Sequence, residues 1–261
     1  MKRFLAILLA AIMLLALVSC SNDTVLIEGD DMTVSDNKIT NNDGLGYFTY
    51  EINKDAHYSI TGYHTVSSKK HEIEIPKMIG DITVTGIATE AFKSCTNLTA
   101  IDIPETVTFI EDLAFYGCDS LTTLTIPDSV TEIGAGAFRE CTALETIVIS
   151  ENVTEYADQL FWGCTSLKEV GFDRIETIGA GAFYGCKALT DITLNVFVKE
   201  VGDTAFCGSG LTTITVAPNA EITFGEAVFA NLGGELTVAA EESFVDYINE
   251  KYPEYNVTVA E

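Results

Sequence analysis

Phenylalanine recurs at positions 92, 115, 138, 161, 183, 206 and 229, at intervals of 23, 23, 23, 22, 23 and 23 residues. That period constrains the fold more than any other feature of the chain. A unit of this size cannot bury its own apolar face and must stack on its neighbours. The clearest copy runs Ile126-Pro127-Asp128-Ser129-Val130-Thr131-Glu132-Ile133-Gly134-Ala135-Gly136-Ala137-Phe138, then Cys141, Leu144 and Ile147. Within it the apolar period changes. Leu121 to Ile126 alternates as a half-buried strand does, and Val130 and Ile133 open a second short extended piece. The Ala-Phe-x-x-Cys-x-x-Leu portion has helical or 3₁₀ spacing, which sends Phe, Cys and Leu to one side. Stacked at a strand spacing of about 4.8 Å, such units predict a solenoid, mostly β with short helical turns, in which each Phe lies over the next.

This unit resembles the 23-residue leucine-rich repeats of the BspA-like bacterial surface antigens, from about Tyr47 to the C-terminus. The resemblance implies a leucine-rich-repeat solenoid over 88–238, a β cap and first repeat over 47–87, and a cap with a short helix over 239–261. Phe244, Tyr247 and Ile248 have the spacing of that closing helix. Such caps hide the end faces of a solenoid.

The N-terminus carries an address. Lys2 and Arg3 precede the apolar run Phe4 to Val18, too short to span a bilayer but suited to a signal peptide. Leu17-Val18-Ser19-Cys20 resembles the bacterial lipobox, which implies cleavage of 1–19 and acylation of Cys20. The covalent lipid would be the only non-protein group, with no metal or cofactor expected. Residues 20–46 then read as an acidic, flexible tether, since Ser21 to Gly44 holds six Asp or Glu against Lys38 alone. The expected location is a bacterial membrane surface, held through the lipid only, as a monomer.

With 39 Asp and Glu against 14 Lys and Arg, the formal net charge is −25, which excludes a phosphate-backbone binder and therefore a nucleic-acid partner. Cys95, Cys118, Cys141, Cys164 and Cys186 all fall three residues after a Phe, with Cys207 off the column. Because they follow the repeat rather than any pairing, buried reduced thiols are favoured over disulfides. In other leucine-rich repeats a comparable position satisfies a buried turn. His57, His64 and His71 lie seven apart, and are expected as solvent-facing strand residues rather than a metal site.

Recognition belongs to the variable positions. The principal strands present a threonine-rich face that includes Thr123/Thr125 and Thr213/Thr215. One residue after successive Phe come Tyr116, Arg139, Trp162 and Tyr184, residue types that dominate binding hot spots. The alternative is that they only shelter the turn. The unit around Phe161 departs most from the others: Ser150-Glu151-Asn152 replaces Pro-Asp-Ser, Tyr156 replaces Ile, and Leu160 fills an Ala slot. The resemblance implies a protein or glycoprotein ligand and adhesion, with a ligand-free envelope spacer as the alternative. A polysaccharide-active enzyme is disfavoured, because Glu132, Glu155 and Glu200 repeat at equal positions, whereas acid and base need unequal ones.

Overall fold

The computed structural model describes residues 45–259 apart from Lys54 and Gly234, together with the strands Val25–Leu26, Met32–Ser35 and Lys38–Asn41. The signal peptide and Cys20 lie outside the described residues. The chain winds as a β-solenoid of about nine turns. Each regular coil contributes a principal strand such as Thr123–Thr125, a Pro-containing corner, a short strand such as Glu132–Ile133, and a tight turn around its Phe. Successive coils pair parallel and in repeat register: Thr123 with Thr146, Leu124 with Ile147, and Phe109 with Glu132.

The turns form a third ladder. The amide of each Phe donates to the carbonyl of the residue before the next Phe: Phe92 to Ala114 at 2.7 Å, Phe115 to Ala137 at 2.8 Å, Phe161 to Ala182 at 2.8 Å and Phe183 to Ala205 at 2.7 Å. Where the Ala slot holds a larger side chain the bond lengthens, to 3.1 Å for Phe138 to Leu160 and 3.0 Å for Phe206 to Val228. Leu160 is therefore accommodated by a small parting of the backbones, as close-packed interiors require when volume is added. On alternate coils Asp112, Asp158 and Asp203 each accept the amide of the next coil, from Ala135, Ala180 and Glu226, all at 2.7 Å. Glycine is needed beside that bond. A Cβ on Gly134 would sit 2.5 Å from the Asp112 amide nitrogen, and one on Gly179 2.6 Å from that of Asp158.

Inside, the seven Phe rings are fully buried and stack without a break, at centroid distances of 5.0, 5.5, 5.6, 5.3, 5.2 and 5.8 Å, with no adjacent pair tilted more than 26°. Beside them, the Cys118, Cys141, Cys164 and Cys186 thiols donate to the carbonyls of Phe92, Phe115, Phe138 and Phe161, at 3.0–3.2 Å. All six described cysteines are buried and unbridged. Each of these carbonyls also accepts the backbone amide three residues on, so the thiol is its second donor and is itself satisfied, as a buried polar group should be. Ser209 holds this position in the Phe206 coil, and its buried hydroxyl has no partner.

The caps imitate the coils they replace. Tyr63 stands where a Phe would: its ring stacks on Phe92 at 6.0 Å, its amide donates to Ala91, and its carbonyl receives the Cys95 thiol at 3.7 Å. At the other end the helix Glu242–Lys251 buries Phe244, Val245 and Ile248, and Phe244 meets Phe229 edge-on. The Tyr252 hydroxyl accepts the Phe229 amide at 3.2 Å, and the Tyr255 hydroxyl donates to the Phe229 carbonyl at 2.6 Å. These are the bonds a further coil would have made. The strand Asn256–Val259 then returns to pair parallel with Glu235–Ala239.

Two expectations are corrected. Part of the stretch expected as a flexible tether is paired: Met32–Ser35 and Lys38–Asn41 add antiparallel strands to Gly46–Ile52, and Ile39 is fully buried opposite Phe48. Its acid content masked a strand alternation, and one apolar face suffices to pin a strand register. His71 is buried rather than solvent-facing. Its Nε2 accepts from the Tyr63 hydroxyl at 2.7 Å, while Nδ1 faces the Lys69 carbonyl at 2.9 Å. A polar ring can be buried there because both nitrogens are satisfied. His57 and His64 are exposed.

Candidate functional site

Three surfaces stand out along the stack, two of them set by the repeat alone. On the principal strands Thr123, Thr125, Thr146 and Val148 are exposed while Leu124 and Ile147 between them are buried, so the alternation carries a small, flat face to solvent. Further along, Asp191 and Thr193 continue it. It offers hydroxyls and methyls.

The second surface is the column after each Phe. The fold brings Tyr116, Arg139, Trp162 and Tyr184 together, one per coil, all half-buried. Lys93 lies 5.7 Å from the Tyr116 ring centre and Arg139 5.2 Å from that of Trp162. Trp162 and Tyr184 stack at 3.9 Å and 11°. Arg139 also donates through Nη1 to Gln159, while its buried Nε has no partner. A Cβ on Gly181 would lie 2.8 Å from the indole, so that glycine, at φ +62°, admits the Trp. Much of each ring face is spent on its neighbour. The column covers the turns and leaves its outer edges to solvent.

The irregular unit beside it is satisfied from within. The Tyr156 ring meets Phe161, Phe172 and Phe183 edge-on, at 5.6–5.9 Å, and its hydroxyl donates to the Gly171 carbonyl. Asn152 and Ser150 both bond the Asp128 carbonyl, at 2.7 and 3.4 Å, and the Ser150 hydroxyl also accepts the Asn152 amide.

The third surface was not foreseen. The tip of the N-terminal cap, at Glu51, Ile52 and Asn53, stands over the short strands and encloses with them a groove of about 980 Å³. Glu111, Asp112, Glu132 and Glu155 line it, with Phe109 on its floor. Glu132 and Glu155 were visible in sequence as a ladder of acids. The wall that makes the ladder a groove comes from a hairpin some eighty residues earlier, and no local pattern reports it. Among the described residues no three His, Cys, Asp or Glu side chains converge as a metal site would require.

Burial governs the thiols. It pushes Cys95 up to about 12, and raises Cys186 as well. Cys118 is held well above the usual thiol range by its hydrogen bond to Cys141 and by burial, and Cys164 by burial first and then by the neighbouring thiols. These four thiols are therefore kept protonated and poorly nucleophilic.

Stacked parallel strands, a Phe spine and thiol-closed turns define a leucine-rich-repeat solenoid. A family model described as BspA type leucine rich repeat region (6 copies) matches residues 66–174 and 171–252, and the chain belongs to that family. Among solved structures, the leucine rich repeat protein of T. pallidum is 27% identical, covering 81% of this chain and 95% of its own, with a TM-score of 0.65. A leucine rich cell surface protein from Faecalibacterium prausnitzii is 23% identical over 82% of this chain and 77% of its own, with a TM-score of 0.48. No curated protein matches.

Proposed function

We propose that this chain is an exported, lipid-anchored protein of the bacterial cell surface that binds a protein or glycoprotein, in an adhesive role. The observation that supports this reading most is the division of labour along the stack. Buried positions repeat nearly unchanged, while exposed ones vary from coil to coil, which is how repeat scaffolds recognise partners. The leader that ends just before Cys20 supports the anchor, since acylation at a single cysteine with two or more chains holds firmly. In this reading the edges of Tyr116, Arg139, Trp162 and Tyr184 contact the partner.

Three measurements test the proposal. Labelled palmitate should enter the wild-type chain and fail to enter Cys20→Ala, and protease added to intact cells should remove the solenoid. Surface plasmon resonance against extracellular-matrix proteins and bacterial surface extracts should show saturable binding that Trp162→Ala weakens about tenfold, on the scale of a hot-spot truncation. Labelled chain without binding to any member of the panel would leave an envelope spacer instead.

A further inference from the structure

We propose that the groove between the cap tip and the short strands docks an extended, lysine- or arginine-rich segment of a partner protein. This rests on the macromolecule-binding function proposed above, and names the partner's chemistry and the sheet face that takes it.

Charge complementarity carries the assignment. Glu51 from the cap, Asp112 from one coil, Glu132 from the next and Glu155 from the third line one groove, and no Lys, Arg or His is among its described lining residues. The three ion pairs among the described residues, Lys93 with Glu90, Lys168 with Glu145 and Lys199 with Glu176, all lie elsewhere. None of the groove's acids belongs to one of these pairs, so its carboxylates face the groove without a counter-charge among the described residues. Low-dielectric walls on both sides focus the field of such a set.

The floor adds an apolar component. Phe109 is half-buried and lies so close over Gly86 that a Cβ there would meet its ring at 2.2 Å. A phenyl face flanked by carboxylates suits the apolar stem and cationic head of Lys or Arg, through burial of the methylenes and a cation–π contact. Arg adds bidentate pairing with carboxylate. The three contributing coils, at about 4.8 Å each, give a floor on the order of 10–15 Å long, which fits a few residues of extended chain better than a folded surface. A second copy of this chain, with net charge −25, would be repelled.

The probe is a fluorescein-labelled (Arg-Gly)5 peptide titrated against the full-length protein by anisotropy, in about 0.1 M salt. Saturable binding should weaken at least tenfold in Glu51→Gln/Glu132→Gln/Glu155→Gln. It should change less than twofold in Asp102→Asn/Asp128→Asn/Glu169→Gln, a variant of equal charge altered outside the groove. All six residues are exposed, and unchanged circular dichroism confirms that both variants fold. Absence of binding, equal weakening in both variants, or displacement of the peptide by millimolar calcium would each overturn the proposal, the last marking a metal-ion site. A cell-surface partner captured normally by the groove variant but lost with Trp162→Ala would leave the binding function standing and remove this face from it.

Discussion

The coil around Phe138 and the coil around Phe161 do the same work with different side chains. The first has the regular corner Pro127-Asp128-Ser129, a short strand ending in Ile133 and Ala137 before its Phe. The second has Ser150-Glu151-Asn152, Tyr156 and Leu160, and is followed by a corner one residue shorter, from Phe172 to Ile175. Both keep their Phe in the column and their thiol on the preceding Phe carbonyl. What the second coil lost in regularity it recovered bond by bond. The Tyr156 hydroxyl reaches Gly171, Asn152 and Ser150 reach Asp128, and the Leu160 slot opens by a few tenths of an ångström. A stack therefore tolerates departures in sequence where each displaced hydrogen bond finds a new partner, and the aromatic column is the element it does not give up.

The comparison breaks most severely at the column. Phe138→Ala opens a benzyl-sized cavity between two stacked rings, and should cost about 3–5 kcal/mol in urea unfolding. It should also split unfolding into two transitions, because a solenoid is held together only by contacts between neighbours.

The thiols offer a second way to break it, through pH. Burial raises Cys95, Cys164 and Cys186, and the hydrogen bond to Cys141 together with burial raises Cys118, in the folded state above their unfolded value near 9, Cys95 to about 12. The folded chain therefore binds more protons than the unfolded one at alkaline pH. Stability should be intact below about pH 9 and fall as pH rises through the folded values, each group contributing up to about 1.4 kcal/mol per pH unit. Urea midpoints measured from pH 8 to 10.5 should drop accordingly, with iodoacetamide failing to modify the native thiols at pH 8.

Smaller changes sharpen the contrast. Tyr156→Phe leaves the Gly171 carbonyl without its hydroxyl and should cost about 1–2 kcal/mol, as an unmade buried bond does. The equivalent position in the regular coil, Ile133, has no such bond to lose. Ser209→Cys should act in the opposite direction. It installs the missing thiol beside the Phe183 carbonyl and should raise stability by about 0.5–1.5 kcal/mol, read as a higher melting temperature. Ser209 is a position of the column where the thiol was replaced by a hydroxyl that found no partner.

The solenoid, its period, the Phe spine and the adjacency of Tyr116, Arg139, Trp162 and Tyr184 were legible in sequence, because a repeat turns distance along the chain into distance along an axis. The non-repeating parts were not. Ile39 and the strands before Tyr47 were hidden by a high density of acids, and His71 is buried by a Tyr63 hydroxyl that no spacing announces. The return of Asn256–Val259 to the principal sheet and the wall that Glu51 adds to the groove both depend on long-range closure. Local pattern encodes what repeats, and only tertiary contact encodes what ends the repeat.

The spine can be tested directly by nuclear Overhauser measurements on protein labelled at its Phe rings. Contacts should link the seven rings in strict succession, 92 to 115 to 138 and onward to 229, with centroids 5.0–5.8 Å apart. Rings that showed no contact with their neighbours 22 or 23 residues away, or that exchanged freely with solvent probes, would contradict the stacked solenoid.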